Sequence, residues 1–283
     1  MNPSDNPENA EFLQHIKKPL LISIPHSGEQ VPPEAKWLNG LPETLLMYDV
    51  DRYVDRLYAP VIQTLKIPSI QTKWHRYAID LNRLPDDVDA DSVIGHKNPS
   101  GKFPRGLHWA ITTKKEKLMP EPITRELHEE LVRRYFNPFH DQVRKIFEAI
   151  KEKGAPVTYH IDAHSMPSLG TSEHSDPGEK RADVVISDCR GKSCSPWFRD
   201  LVLASYKNAG FSVAHNWPYF GGRVTETYGQ PALNQESIQV ELNRGLYMDE
   251  TSKRWIDGKA QRVSDRINQA IQEVYAALPI LKT

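Results

Sequence analysis

The sequence predicts an α/β protein built on a mixed, largely parallel sheet that is flanked by helices. Short apolar runs alternate along the 283 residues with segments whose apolar side chains recur at helical spacing. This alternation is typical of parallel strands joined by helical crossover connections. We expect a single domain over residues 19–283, preceded by a loose tail over residues 1–18.

The first half of the chain predicts three strands, one long helix and one long loop. PLLISIP (19–25) is a short apolar run between prolines and is predicted to be a buried strand. Residues 42–66 predict a helix that Pro60 kinks or divides. SIQTKW and RYAIDL are predicted strands. Residues 84–107 are rich in proline, glycine and aspartate and predict a loop, of a length that is often functional.

The second half predicts three further helical segments between four strands. Residues 121–154 form a helical block that Pro138 interrupts and Gly154 ends. SPWFRDLVLASYKNAG is an amphipathic helix with Ser195 as N-cap and Gly210 as the stop. A long helix, SKRWIDGKAQRVSDRINQAIQEVYAAL, closes the chain. The predicted strands are PVTYHIDAHS, RADVVISD, FSVAHN and SIQVELNR.

The composition argues against nucleic-acid and membrane partners. The net charge is −1 and the pI is about 6.8, so no global field attracts an anionic polymer or surface. No apolar run approaches the roughly 18 residues of a membrane span, and the N-terminus lacks a secretory pattern. Cys189 and Cys194 make no disulfide framework, and their pairing is left open. We expect a cytoplasmic protein.

Polar residues stand where several predicted strands end. His26 follows the first strand, Asn82 and Arg83 follow another, His164 ends a third and Glu241 lies in the last. In HIDAHS, two histidines and an aspartate alternate, so their side chains share one face. Ligands of parallel α/β sheets bind beyond the carboxyl ends of the strands. These residues therefore predict a functional site at that edge.

The residue types at this edge fit a catalytic metal site. A catalytic zinc ion commonly has two histidines and a carboxylate as ligands, and manganese, iron or cobalt can fill a similar site. His26 and His164 are the candidate imidazoles. Glu241 is a candidate general base, and Asn82 with Arg83 can hold a substrate carboxylate. Each residue taken alone can also be an ordinary polar residue of a folded protein.

The carboxylate ligand is open between three residues on sequence grounds. Glu29 gives a local H-x-x-E in HSGE, whereas Asp49 and Asp51 form DVD near the predicted helix. The two aspartates could instead simply favour a helix start. We therefore keep all three carboxylates as candidates at this point.

Six sequence blocks together resemble one enzyme family. ISIPHSG, DRYVDRLY, RYAIDLNR, HIDAHSMPS, RADVVISD and VELNRGLYMDE occur in this order. The set resembles the N-formylglutamate amidohydrolase family, which is similar in fold to zinc carboxypeptidases and aminoacylases. The resemblance runs from about residue 19 to about residue 250. It implies a carboxypeptidase-like fold and a zinc-dependent hydrolase that cleaves a small N-acyl amino acid, such as N-formylglutamate, to formate and glutamate.

The resemblance also implies individual roles. It implies that His26, Asp51 and His164 are the metal ligands. Glu29 and Asp49 are the alternatives to Asp51 as the carboxylate ligand. It implies that Glu241, Arg83 and Asn82 are catalytic residues. Of these, Arg83 and Asn82 hold a substrate carboxylate. It implies that Arg76, Arg181 and Thr225 also bind the substrate. Thr225 lies in the family loop GGRVTETYG.

Two features leave the substrate open. Arg223 and Glu226 depart from the family loop, and an acid in the pocket would disfavour a second substrate carboxylate. The acidic stretch DDVDAD (86–91) raises the same question. The alternatives are a related metallo-carboxypeptidase or deacylase acting on another acyl amino acid or short peptide, and a non-catalytic ligand-binding member. The oligomeric state is not predicted.

Overall fold

The computed structural model describes residues 16–89, 91–95, 105–172 and 174–281, and in them a six-stranded sheet. The spatial order is β2-β1-β3-β6-β4-β5. The first four strands are mutually parallel, whereas β4 pairs antiparallel with β6 and β5 follows β4. The strands are β1 (Leu20–Ile24), β2 (Ser69–Gln71), β3 (Thr158–Met166), β4 (Val184–Ser187), β5 (Val213–His215) and β6 (Gln235–Asn243). The mixed, largely parallel sheet is confirmed.

Helices cover both faces of this sheet. They are α1 (Glu43–Leu46), α2 (Val54–Leu65), α3 (Arg125–Leu131), α4 (Asn137–Glu152), α5 (Pro196–Asn208), α6 (Arg223–Tyr228) and α7 (Asp257–Ala277). One apolar core joins α2, α5 and α7 to one face of the sheet. A second core joins α4 and α6 to the opposite face. A short hairpin, β7 (Met248–Asp249) and β8 (Arg254–Trp255), precedes α7.

The alternation along β3 directs its polar residues to one face. Tyr159, Ile161 and Ala163 enter the core beneath α2, α5 and α7. The intervening residues, His160 among them, point to the other face, where the His160 ring contacts Phe147 of α4. A one-residue shift of register would exchange these two sets.

The predicted helix over residues 42–66 is wrong as a single element. Its chain breaks after α1, and residues 47–53 form turns before α2 begins. Tyr53 lies in the left-handed region at φ 72°, which an uninterrupted right-handed helix does not allow. Pro60 lies inside α2 without dividing it. The break allows Asp49 and Asp51 to turn inward rather than lie on a helix surface.

The predicted strand RYAIDL is also wrong, because residues 76–81 form turns and irregular backbone. Its apolar residues Ile79 and Leu81 are buried, so their alternation reports burial and not a sheet ladder. The Asp80 carboxylate accepts a hydrogen bond from the backbone N–H of Asn82 at 2.9 Å. This local bond offers the backbone an alternative to strand pairing.

The helical block ends as predicted but is not interrupted at Pro138. α3 begins after Thr124, whose hydroxyl accepts from the Leu127 N–H, and Gly154 follows α4 at φ 79°. Between α3 and α4 the chain makes a π-helical segment, Val132–Phe136. A wider turn at this point accommodates Pro138, which has no N–H to donate.

The other predicted helices and strands are present, but the closing helix begins at Asp257 and not at Ser252, because Arg254 and Trp255 pair with β7 as β8. The Ser195 hydroxyl accepts from the Phe198 N–H as the N-cap of α5, and Gly210 follows this helix at φ 87°. Residues 1–15 of the predicted tail, and residues 90 and 96–104 of the predicted loop, lie outside the described residues. The Lys18 ammonium donates to two backbone carbonyls at the end of α7. No helix within the described ranges is long and apolar enough to cross a bilayer.

Candidate active site

A pocket of about 260 Å³ opens at the carboxyl ends of β1, β3 and β6. The parallel pairing of β3 and β6 places His164 directly beside Glu241, and β1 ends just before His26. The pocket is lined by eight of the residues singled out in the sequence: His26, Asp49, Asp51, Arg76, Asn82, Arg83, His164 and Glu241. The sheet topology therefore assembles residues that lie more than 200 positions apart.

Two imidazoles and one carboxylate converge at the base of this pocket. Asp51 Oδ2 lies 2.9 Å from His164 Nδ1 and 3.5 Å from His26 Nδ1. One ligand atom from each of the three residues lies within 4.8 Å of the others, and all three residues are buried. The Asp51 N–H donates to the carbonyl of His26 at 3.0 Å, which fixes the turn before α2 against the end of β1.

Each imidazole is held from behind by a second buried carboxylate. His26 Nε2 lies 2.7 Å from Asp80 Oδ1, and His164 Nε2 lies 3.1 Å from Asp162 Oδ2. A carboxylate on one ring nitrogen fixes the ring and its tautomer and leaves the other nitrogen to bind a metal. Despite burial, which opposes it, attraction to the facing His26 ring and to Arg76 and Arg83 holds the pKa of Asp80 well below its usual range.

This arrangement fits a divalent metal ion. When both Nε2 atoms donate to carboxylates, both Nδ1 atoms face the same oxygen of Asp51. Although burial opposes it, Asp162 and Asp51 raise the pKa of His164 well above its usual value, so the cluster attracts positive charge, which a metal ion would supply when bound. Ligand atoms bound to zinc at roughly 2.0–2.2 Å lie about 3–4 Å from one another, which is close to the observed spacing. His26, Asp51 and His164 are therefore the residues that could hold the ion.

The two alternative carboxylates have other partners. Glu29 forms a bidentate pair with Arg52, at 2.8 and 3.1 Å, and does not line the pocket. Asp49 lines the pocket, but its oxygens accept hydrogen bonds from the Tyr77 hydroxyl and from the Thr113 hydroxyl and N–H. The geometry thus brings Asp51, and neither alternative, together with the two imidazoles.

Arg244 fixes the other oxygen of Asp51. Its Nη2 donates to Asp51 Oδ1 at 2.8 Å, and its Nε donates to the Ser165 hydroxyl at 3.0 Å. The remaining N–H groups are directed to backbone carbonyls, including that of Tyr48. With Oδ1 occupied in this way, Asp51 presents Oδ2 alone to the two imidazoles.

Glu241 is a buried acid with an unused oxygen. Its Oε1 accepts from Gln239 Nε2 at 2.8 Å, whereas Oε2 has no hydrogen-bond partner among the described residues. Burial raises the pKa of Glu241 from 4.5 to about 7. A carboxyl group that titrates near neutrality and faces a pocket can accept and return a proton.

Asn82 and Arg83 lie on the wall formed by the turn after Asp80. Asn82 Oδ1 accepts from the Val224 N–H at 2.7 Å, which couples this wall to the start of α6. Gly222 allows this close approach, because a Cβ at this position would lie 2.1 Å from Asn82 Nδ2 and would force the Asn82 side chain to shift. The Arg83 guanidinium donates to the backbone carbonyls of Asn82 and Arg105 while lining the pocket.

The three predicted substrate-binding residues occupy different positions. Arg76 lines the pocket, and its Nη1 and Nη2 hold the Asp49 carbonyl and Asp80, respectively. Arg181 and Thr225 do not line it. Arg181 forms a buried bidentate pair with Asp176, and the hydroxyl of Thr225 donates to Asp162 at 3.1 Å. Arg181 also donates to Tyr219 of the pocket wall, and Asp162 in turn lies against His164, so both residues act from behind the wall.

Comparison with known proteins gives the family. The family model for N-formylglutamate amidohydrolases matches residues 18–248. The chain belongs to this family. It is similar to the N-formylglutamate deformylase of Pseudomonas putida, with 29% identity over 262 residues that cover 91% of this chain and 92% of the relative. The N-formylglutamate deformylase of Pseudomonas aeruginosa is also 29% identical, over 82% and 83% of the two chains.

A solved structure agrees with the family assignment. The crystal structure of N-formylglutamate amidohydrolase from Ralstonia eutropha JMP134 superimposes with a TM-score of 0.79 at 26% identity. The match covers 91% of this chain and 93% of that chain. The resemblance to N-formylglutamate amidohydrolases that the six sequence blocks indicated is thus confirmed.

The residues that depart from the family loop do not place an acid in the pocket of this N-formylglutamate amidohydrolase family member. Arg223 forms a bidentate pair with Asp87 of the acidic stretch, at 2.7 and 2.8 Å, and also pairs with Glu226. Neither Glu226 nor any described residue of the acidic stretch lines the pocket. The expected conflict with a dicarboxylate substrate is therefore absent from the described wall.

Several pocket residues were not assigned a role from the sequence. They are Arg105, Trp109, His174, Tyr219, Gln239 and Arg244, together with Asp80, which lies behind the wall and accepts a hydrogen bond from Trp109 Nε1. Asp80 and Arg244 had a usable signal, because each lies within a family block, DLNR or VELNR. The others lie in loops or on the pocket wall, where neither periodicity nor a motif marks them.

Proposed function

We propose that this chain is a zinc-dependent amidohydrolase that cleaves N-formylglutamate, or a closely similar N-acyl amino acid, to the free acid and the amino acid. The observation that carries the proposal is the buried cluster of His26, Asp51 and His164 beside the unpaired oxygen of Glu241. The names of the two Pseudomonas relatives and of the Ralstonia structure support the same substrate.

The cluster supplies the metal part of this chemistry. A divalent ion held by His26, Asp51 and His164 would polarise the amide carbonyl and acidify a water molecule. Asp80 and Asp162 keep the two rings oriented, and Arg244 keeps Asp51 in place. The protein thereby provides a preorganised site that does not rearrange during the reaction.

Glu241 performs the proton transfers. Its free Oε2 accepts a proton from the attacking water and returns it to the nitrogen of the leaving amino acid. A pKa near 7 suits both transfers, because the group neither holds nor releases the proton too strongly. The surrounding burial that raises this pKa also excludes bulk water from the reacting atoms.

Asn82 and Arg83 determine the position of the substrate. Guanidinium and amide N–H groups bind a carboxylate through directed hydrogen bonds, which would fix the acyl–nitrogen bond relative to Glu241. The pocket volume of about 260 Å³ suits a small acyl amino acid rather than a folded protein chain. Loss of either residue should raise KM more than it lowers kcat.

We also infer a cytoplasmic, single-domain enzyme over residues 19–283. The sequence has two cysteines, too few for a disulfide framework, as expected in a reducing compartment. The near-neutral charge gives nucleic acid or an anionic membrane no electrostatic advantage as a partner.

The test is hydrolysis of a panel of N-acyl amino acids by the zinc-loaded protein. We expect release of formate from N-formylglutamate, with weaker activity on N-formylglutamine, which lacks the side-chain carboxylate. Glu241→Gln should lose the activity and keep its metal. A protein that is fully metal-loaded yet hydrolyses none of the panel would instead be a ligand-binding member of the family.

A further inference from the structure

The hydroxyl group of Tyr219 lies on the pocket wall between two hydrogen-bonding partners. Arg181 Nη1 donates to it at 2.9 Å, and His174 Nε2 lies 3.0 Å away on another side. Tyr219 and His174 both line the pocket. The direction of the second bond decides where the hydroxyl hydrogen of Tyr219 points.

The surroundings of His174 fix that direction. Its Nδ1 accepts a hydrogen bond from the backbone N–H of Thr171 at 3.1 Å and lies 2.7 Å from the Thr171 hydroxyl. A backbone N–H can only donate, so Nδ1 presents a lone pair. Burial, and then repulsion from Arg181, lowers the pKa of His174, so the ring is neutral at neutral pH. The ring hydrogen is therefore on Nε2 and is donated to Tyr219.

Tyr219 thus accepts two hydrogen bonds and keeps its own hydrogen for a third partner. No other acceptor for this hydroxyl is present in the described part of the chain. We propose that Tyr219 donates its hydroxyl hydrogen to the amide oxygen of the substrate as negative charge develops there. This role deepens the proposed amidohydrolase function and rests on it.

The arginines near Glu241 are less suited than Tyr219 to donate a hydrogen bond to the amide oxygen of the substrate. Arg244 directs its N–H groups to Asp51, Ser165 and backbone carbonyls. Arg76 holds the Asp49 carbonyl and Asp80 through Nη1 and Nη2, and its Nε, although without a partner among the described residues, is buried. Tyr219 needs no rearrangement, because the Arg181–Asp176 pair holds its acceptor side from behind. Burial raises the pKa of Tyr219, so the phenol keeps its hydrogen throughout the working pH range.

The kinetic test is Tyr219→Phe, which removes the hydroxyl group alone. Loss of one donor to a developing oxyanion lowers kcat by about 10²- to 10³-fold, and we expect KM to stay within about threefold. Tyr275→Phe is the matched control, since its hydroxyl donates to the Leu65 carbonyl and neither residue lines the pocket. Zinc content should be unchanged in both variants, and both should remain folded at the assay temperature, although Tyr219→Phe should lower Tm because Arg181 and His174 lose their acceptor. A kcat near that of the wild type, or a rise in KM alone, would overturn the proposal.

A second measurement needs no activity. Nitrogen-detected NMR of the ¹⁵N-histidine-labelled protein reports the tautomer of His174, whose signal is assigned by its loss in His174→Gln. We expect the hydrogen on Nε2. A hydrogen on Nδ1 would commit the Tyr219 hydroxyl to His174 and overturn the inference. Because this readout is independent of turnover, it separates failure of this inference from failure of the proposed function.

Discussion

Replacing Glu241 by glutamine should abolish activity and yet stabilise the metal-free protein at alkaline pH. The pKa of Glu241 is raised by burial from 4.5 in the unfolded chain to about 7 in the folded protein. The folded state therefore binds this proton more tightly, and the free energy of unfolding falls as pH rises from 4.5 through 7. Over this span of about 2.5 pH units, at about 1.36 kcal/mol each, the loss is about 3 kcal/mol.

Glutamine is uncharged at every pH and avoids this loss. Glu241→Gln should match the wild type in stability near pH 4 and exceed it by about 3 kcal/mol at pH 8. Its kcat should fall by about 10²- to 10⁴-fold, the usual contribution of a general base. The site would then be one where function is maintained at the expense of stability.

The assay is urea unfolding of chelator-treated wild type and variant between pH 4 and pH 8.5. Glu148→Gln on the exposed surface of α4 is the control and should give a difference that is flat with pH. Reloading with zinc should reduce the difference in stability between Glu241→Gln and the wild type, because a nearby cation favours the ionised carboxylate. A gap that does not widen with pH, or a Glu241→Gln enzyme with wild-type kcat, would refute the reasoning.

Three further changes test other parts of the site and fold. Asp80→Asn should weaken zinc binding by about 10- to 100-fold in a competitive chelator titration, because it removes the carboxylate that orients His26. Gly222→Ala should raise KM by at least about tenfold, since its Cβ would displace Asn82. The control is Gly258→Ala in the exposed first turn of α7, which should leave KM unchanged. Burial lowers the pKa of His108 from 6.5 to about 3. The free energy of unfolding therefore falls as pH drops below 6.5, by about 3 kcal/mol at pH 4.5. Urea unfolding of His108→Gln should lack this loss at acid pH, and a pH profile like that of the wild type would contradict the assignment.

The edge of the sheet at which the site lies could be predicted from the sequence because parallel strands gather their carboxyl ends. His26, His164 and Glu241 follow or end apolar runs that proved to be β1, β3 and β6. Asp51 could not be separated from Asp49 or Glu29, because spacing does not show which side chain already has partners. Only the hydrogen bonds from Tyr77 and Thr113 to Asp49, and the Glu29–Arg52 pair, distinguish them.

The turns around the site escaped prediction for a physical reason. Residues 47–53 and 76–81 have the apolar spacing of a helix and a strand, because their apolar side chains are buried like those of regular elements. Their backbones are instead fixed by long-range contacts, such as the bond from the Asp51 N–H to the His26 carbonyl. The support that Arg181 and Thr225 give from behind the pocket likewise depends on tertiary partners that a linear pattern does not contain.

The most direct test of the central claim is the zinc content of the purified protein and of three single variants. After exposure to zinc and removal of the excess, elemental analysis should give about one zinc per chain in the wild type and in Glu29→Gln. Asp51→Asn and His164→Ala should lose most of the metal while keeping the circular dichroism spectrum of the folded protein. A wild-type protein that binds no zinc, or an Asp51→Asn variant that binds as much as the wild type, would contradict the account.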